Sequence, residues 1–292
     1  MLKVRFLKAR FPKIRRLKIA LLILASCAVG ACQTIKSTNS LNTVNLQRLP
    51  DKSEGLQRAL LSFKYDDLQQ HALFIHGKNK NFSEKGVVVI AHGFHPNPPM
   101  YGKLKSGESL RPGNYYRAWI EAYAKAGFNV LVPDYRGHNS SQGYEYTHQA
   151  KKYELPEQYY AKDGLASLLA LEKQLETEFQ DVVIVGHSMG SPIAFWLGQQ
   201  LTGRAKLVSL WSSAKYKLDT NKFSPPFVIH HGKEDKVTPI GNTEYYINNF
   251  GSSLISNNQY NSDKHLINGQ DFIQAIKIDV ALINTIFSKE NH

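Results

Sequence analysis

The sequence predicts an α/β fold: a mostly parallel, twisted sheet of about eight strands with helices packed on both faces. Three observations carry this. Short β-branched runs recur along the chain, and each is nearly continuous in apolar residues, which is how strands covered on both faces read. Stretches with helical apolar spacing separate them, the alternation expected of a doubly wound sheet. Each run is followed within two residues by Gly, Asp, His or Ser, and in such sheets ligands bind beyond the carboxyl ends of the strands.

Taken in order, Leu60 to Tyr65 and Ala72 to His76 read as an antiparallel pair ahead of the parallel strands. The parallel runs are Val87–Ile90, Val130–Val132, Val182–Val185, Leu207–Leu210 and Phe227–Ile229. Between them, Tyr115 to Ala126 sets Trp119, Ile120, Ala122 and Tyr123 at helical spacing, and Tyr159 to Glu178 repeats Leu165, Leu168, Leu169, Leu171 and Leu175. A third helix spans Ser191 to about Leu201 and a last one Asp271 to Phe287. No internal repeat marks a solenoid.

The chain has 292 residues and a formal charge of +12, yet the charge is local. Eight of the 36 Lys and Arg fall in the first 18 residues, where there is no acid, so the remainder carries 28 basic against 24 acidic residues, or +4. A nucleic-acid footprint would have to lie on the folded body, and none is evident there. The apolar run Ile19 to Val29 follows the basic cluster, the pattern of a secretory signal over residues 1–31, and it is too short for a comfortable transmembrane helix. Residues 32–50, rich in Ser, Thr and Asn, read as a flexible tether, and residues 51–292 as one catalytic domain. Both cysteines, Cys27 and Cys32, lie at the end of the leader, which excludes a disulfide within the body.

The chemistry centres on Val182-Val183-Ile184-Val185-Gly186-His187-Ser188-Met189-Gly190, a strand running into G-x-S-x-G ahead of a helix. Glycines are needed there because the turn is tight and side chains would strike the neighbouring strand and helix. The turn lifts Ser188 above the sheet edge as a nucleophile and sets a helix N-terminus beside developing negative charge. On such a sheet the acid and then the His follow in chain order. Asp235 sits on the loop leaving the Phe227–Ile229 strand, with Glu234 as its competing neighbour. His265 follows just before the last helix, beside Asp263, which reads as a solvated loop acid. Oxyanion donors are expected from the backbone N–H groups of Met189 and of Phe94, the latter in the loop Ala91-His92-Gly93-Phe94; His92 reads as a structural partner in that loop. No metal-ligand spacing occurs, and the chemistry calls for no metal or other cofactor.

His92-Gly93-Phe94, Asp134-Tyr135-Arg136-Gly137-His138, Gly186 to Gly190, and Gly232 to Asp235 with Val237 and Pro239 together resemble the motif series of the α/β-hydrolase superfamily, in family order from about residue 85 to 270. The resemblance implies the α/β-hydrolase fold and a Ser188–His265–Asp235 triad working through an acyl-enzyme. Asn139 stands where many members have Gly, and Ser191 where a second Gly is common. Tyr159 to Leu165 is similar to the prolyl-oligopeptidase branch, whose β-propeller this chain is too short to hold. A dehalogenase would need a carboxylate at Ser188 and is excluded.

Leu24-Ala25-Ser26-Cys27 and Val29-Gly30-Ala31-Cys32 each resemble the lipobox of bacterial lipoproteins. Cleavage before Cys32 leaves an apolar region of ordinary length, which favours Cys32 over the alternative Cys27 as the lipidated residue. That resemblance implies a membrane-anchored, periplasm-facing protein carrying several acyl chains, and Gln33 in place of Asp points to the outer membrane. The connection Trp211 to Pro226 is too short for a large lid, so Phe94 to Tyr115 and the Tyr-rich segment Tyr144 to Tyr160 are expected to overhang the site. The function expected is an envelope carboxylesterase acting on a small-molecule or peptide acyl substrate. A prolyl-oligopeptidase-type serine peptidase and a catalytically idle scaffold lipoprotein remain open, since fold alone does not fix function.

Overall fold

Nine strands form one sheet among the described residues of the computed structural model, which are 41–51, 53–77, 86–94, 115–143 and 156–289. In chain order the strands are β1 (Asn42–Leu49), β2 (Leu56–Tyr65), β3 (Leu68–Gly77), β4 (Val87–Ala91), β5 (Asn129–Asp134), β6 (Val182–His187), β7 (Ala205–Trp211), β8 (Phe227–Gly232) and β9 (Leu254–Tyr260). The helices are α1 (Arg117–Lys125), α2 (Pro156–Leu175), α3 (Gly190–Gln200), α4 (Asn242–Phe250) and α5 (Gly269–Lys289). The expected leader with Cys27 and Cys32, the first part of the expected tether, and most of the two insertions expected to overhang the site lie outside the described residues.

The sheet order is β1-β2-β3-β5-β4-β6-β7-β8-β9. The pairings β1–β2, β2–β3 and β3–β5 are antiparallel, and every pairing from β5 through β9 is parallel. The central strands are buried along their whole length because both faces are covered. In β4, Val87, Val89 and Ala91 join the core under α2, α3 and α4, while Val88 and Ile90 join the core under α1 and α5. Leu165, Leu168, Ile193, Phe195 and Tyr246 pack the first layer; Trp119, Ile120, Tyr123, Ile276 and Ile283 pack the second. Successive strand residues point to opposite faces, so a continuous apolar run is what this arrangement demands.

Three elements differ from the sequence expectation. The tether expected over 32–50 does not extend over residues 42–49, because Asn42–Leu49 is an edge strand whose Val44 and Leu46 pack on the core between exposed neighbours. The opposite edge strand β9 and helix α4 were not anticipated. In β9 only Tyr260 is fully buried, and Ser256, Asn257 and Asn258 give it a loop-like composition. Helix α4 buries only Thr243, Tyr246 and Phe250.

The Asp134–His138 motif explains itself through packing. The backbone N–H of Arg136 and its guanidinium both donate to Asp163 of α2, at 2.7 to 3.0 Å, which ties the loop after β5 to that helix. Asn139 has φ +47°, the left-handed region that a Gly would adopt freely and Asn tolerates best among side-chain-bearing residues. Its Nδ2 donates to Asp134 Oδ2 at 2.6 Å. Since β4 and β6 to β9 run parallel, their carboxyl ends share one edge. The chain leaves β4 for β5 on one side and later places β6 on the other, which makes this edge the topological switch point.

Candidate active site

Strand β6 runs straight into a strained elbow. Ser188 has φ +56°, a conformation that costs an L-residue about 1–2 kcal/mol and persists only where surrounding bonds impose it. Its N–H donates to the carbonyl of Trp211 at 3.0 Å, and its carbonyl accepts from Ser191 and Ala214 at 3.0 and 3.1 Å. The two glycines have steric reasons. A Cβ on Gly186 would lie 2.5 Å from the carbonyl oxygen of Gly190, and one on Gly190 would overlap the carbonyl of Ala91 in β4. Ser191, which stands where the resembled motif commonly has a second Gly, is accommodated because its Oγ donates to the carbonyl of Gly186 at 3.2 Å. Helix α3 starts at Gly190, so its N-terminal amides and dipole face the same region as Ser188.

The loops after β8 and β9 are bound to each other, which brings Asp235 and His265 together. Lys233 and Glu234 donate their N–H groups to the carbonyls of Tyr260 and Ser262 at 2.9 and 3.1 Å. A Cβ on Gly232 would come 2.6 Å from the Ser262 carbonyl, so only glycine permits this approach. His265 Nδ1 donates to Asp235 Oδ2 at 2.8 Å. Asp235 Oδ1 accepts the N–H groups of Val237 and Thr238 at 2.8 and 3.1 Å, and Oδ2 accepts the Thr238 hydroxyl at 2.8 Å. Burial by itself would push the Asp235 carboxyl up, but the bonds from His265 and Thr238 outweigh it and hold the carboxyl below its usual range. The competing acids differ in setting: Glu234 is exposed, and Asp263 is exposed and paired with Lys264.

His265 Nε2 makes no hydrogen bond among the described residues, and none joins it to Ser188 Oγ. The two residues are related through His187. His187 Nε2 lies 3.0 Å from the carbonyl oxygen of His265, and the two imidazole rings are 4.7 Å apart. Met189 is the buried residue that caps α3. Phe94 closes the described part of the loop after β4, with its ring half exposed. His92 is buried and stacks on Tyr135 at 4.2 Å, with Nδ1 2.7 Å from the carbonyl of Gly93, the structural role expected of it. The sequence reading missed Thr238, Tyr116 and His187. Thr238 had a signal, since Asp-x-x-Thr is the spacing at which an Asp side chain caps a turn.

The loop over the site is short where β7 meets β8: residues 212–226 contain no helix or strand. A family model described as alpha/beta hydrolase fold matches residues 86–209, from the start of β4 into β7. The chain has the alpha/beta hydrolase fold. No curated protein matches it in sequence. Solved structures similar to it include an acetyl xylan esterase from Paenibacillus sp. R4, at 13% identity over 83% of this chain and 88% of that one, with a TM-score of 0.62. Acetyl xylan esterase 1 from a Thermoanaerobacterium species is 15% identical over 82% and 88%, with a TM-score of 0.58. A Pyrococcus furiosus esterase is 17% identical over 82% and 96%, also at 0.58. At these identities the likeness is one of fold, and it extends the alpha/beta hydrolase fold beyond the span that the family model covers.

Proposed function

We propose that this chain is a serine hydrolase that cleaves carboxylic esters through an acyl-enzyme on Ser188. The observation that carries the reading is the His265–Asp235 hydrogen bond at 2.8 Å, on a loop pinned beside a serine at φ +56°. In the reaction, His265 Nε2 takes the Ser188 proton as Oγ attacks the carbonyl carbon. Asp235 keeps the imidazole in the Nδ1–H tautomer and stabilises the imidazolium that forms. The N–H groups of Met189 and Phe94 donate to the tetrahedral oxyanion. His265 then protonates the leaving alkoxide, and in the second half it deprotonates the water that releases the acid and regenerates Ser188. The neighbours named as esterases favour ester over amide bonds.

Turnover of p-nitrophenyl esters of increasing acyl length, alongside aminoacyl p-nitroanilides, tests the reading with the full chain in detergent. Ester hydrolysis abolished by Ser188→Ala is the expected result. Anilide cleavage at comparable rates would replace it with the serine-peptidase reading, and no turnover of either would favour the idle scaffold.

We further propose that the protein is anchored by lipid at Cys32 and faces the periplasm. The basic cluster, the short apolar run and Val29-Gly30-Ala31-Cys32 support this. Radiolabelled palmitate should be lost in Cys32→Ala and kept in Cys27→Ala; the reverse pattern would move the anchor to Cys27.

A further inference from the structure

His187 precedes Ser188, and its two ring nitrogens meet groups from other parts of the chain. Nε2 lies 3.0 Å from the carbonyl oxygen of His265, and Nδ1 lies 2.8 Å from the hydroxyl of Tyr116. That hydroxyl in turn accepts the N–H of Gly93 at 2.9 Å. The protons can be assigned from the acceptors. A carbonyl oxygen only accepts, so His187 Nε2 carries the hydrogen there. In a neutral ring Nδ1 then accepts, and Tyr116 donates its own hydrogen to it while its oxygen receives Gly93 N–H. Gly93 N–H → Tyr116 O–H → His187 Nδ1, and His187 Nε2–H → His265 carbonyl, is thus one strut of satisfied bonds.

The strut spans the whole site. Gly93 belongs to the loop after β4 that leads to Phe94, His187 abuts Ser188 on the elbow after β6, and His265 lies on the loop after β9. Its two bridging side chains are almost wholly buried: Tyr116 is 1% and His187 2% exposed. Trp119 meets the His187 ring edge-on at 5.9 Å, so the imidazole cannot swing aside without displacing core. Gly93 is fitted to it as well. A Cβ there would come 3.1 Å from the Tyr116 hydroxyl and 3.2 Å from His187 Nδ1, tighter than an ordinary contact.

We propose that His187 is a positioning residue, which with Tyr116 fixes the His265 loop and the Gly93–Phe94 loop relative to Ser188 before substrate binds. This rests on the reading of Ser188 as the nucleophile. The strut touches no reacting atom. It sets where the base and the oxyanion donor stand, and displacements of about 1 Å in such groups cost about 100-fold in rate. A binding contact would act on KM, whereas a positioning contact acts on kcat.

The test is ester turnover and fluorophosphonate labelling of the full chain in detergent, with melting temperature followed in parallel. His187→Leu should lower kcat and the labelling rate about 100-fold with KM changed less than about threefold. His187→Gln, whose amide N–H can reach the His265 carbonyl, should recover most of that loss. Tyr116→Phe should lower kcat about tenfold, and the double variant His187→Leu/Tyr116→Phe should be no slower than His187→Leu, because both changes break one strut. A His187→Leu protein with kcat within twofold of wild type overturns the proposal. So does a loss that tracks melting temperature and is not recovered by His187→Gln, because that is the mark of a plain core histidine. Should His187→Leu fail to fold, Tyr116→Phe decides the matter alone: unchanged kcat overturns the strut. Wild-type protein that takes no label overturns the hydrolase reading and the strut with it, whereas equal labelling of wild type and His187→Leu overturns only the strut.

Discussion

The hydroxyl of Thr238 lies 2.8 Å from Asp235 Oδ2 and 2.9 Å from the carbonyl oxygen of Ser212, while its backbone N–H donates to Oδ1 of the same carboxylate at 3.1 Å. One residue therefore grips both oxygens of the acid that orients His265. The hydroxyl has a single hydrogen to share between two acceptors. Hydrogen bonds to a charged group contribute about 1.5–3 kcal/mol, and sharing favours the lower end. Thr238→Val keeps the backbone donor and the volume but removes the hydroxyl. It should lower ester kcat/KM about tenfold, measured at pH 7, with the melting temperature reduced only a few degrees.

Stability should depend on Asp235 in a definite direction. Its folded carboxyl is held below its ordinary value, so the stabilisation it provides is complete above about pH 3.9, where the unfolded carboxyl is also ionised. It is lost as pH falls through the folded value. Urea unfolding should show wild type more stable than Asp235→Asn at pH 7, with the difference shrinking as the pH is lowered below about 4. A gap that stays constant or widens on acidification would contradict the assignment.

The elbow glycines make a steric prediction. Gly190→Ala would drive a methyl group into the Ala91 carbonyl, and the rigid β4 backbone cannot yield, so overpacking should cost about 3 kcal/mol or more. Gly241→Ala, at a right-handed position with open space around it, should lie no more than about 0.5 kcal/mol below wild type. Chemical denaturation of the two variants side by side separates a packing requirement from a general intolerance of alanine.

Another buried carboxylate is structural. Asp279 of α5 accepts from the Tyr123 hydroxyl at 2.7 Å, Ser209 Oγ at 2.8 Å and Trp211 Nε1 at 3.2 Å through Oδ2, and meets His230 Nε2 at 2.9 Å through Oδ1. Burial and then the nearby carboxylate push the Tyr123 hydroxyl well above its usual value, which keeps it a donor. Asp279→Leu would strand these donors in the core between the sheet and α1 and α5, at about 3–5 kcal/mol. The urea midpoint should fall accordingly, while kcat of the protein that remains folded stays within a few-fold of wild type.

What could be read from the chain follows from how each part is buried. The central strands declare themselves because both faces are covered, so Val182 to Val185 and Val87 to Ile90 have no polar face to confuse them. Edge strands have one partner and one wet side. Thus Val44 and Leu46 disappear among Ser, Thr and Asn, and β9 hides behind Ser256 to Gln259. The positions of Ser188 and Asp235 could be read because each stands just after an apolar strand, and that of His265 because it follows Asp235 just ahead of the last helix. His187, Tyr116 and Thr238 were not, because their roles arise from contacts across 23 to 78 residues of sequence or from a hydroxyl that any turn could carry. Arg136 and Asp163 were each part of a noted motif, but their pairing emerged only when β5 and α2 were in place.

The central claim is that His265, held by Asp235, activates Ser188. The most direct measurement is the mass and site of the adduct formed when the full chain is treated with a fluorophosphonate. The expected result is one adduct per chain, mapped to the peptide bearing Ser188, absent in Ser188→Ala and slowed about 10⁴-fold in Asp235→Asn. An adduct on another residue, or labelling of Ser188 at the wild-type rate after His265→Ala, would contradict the account.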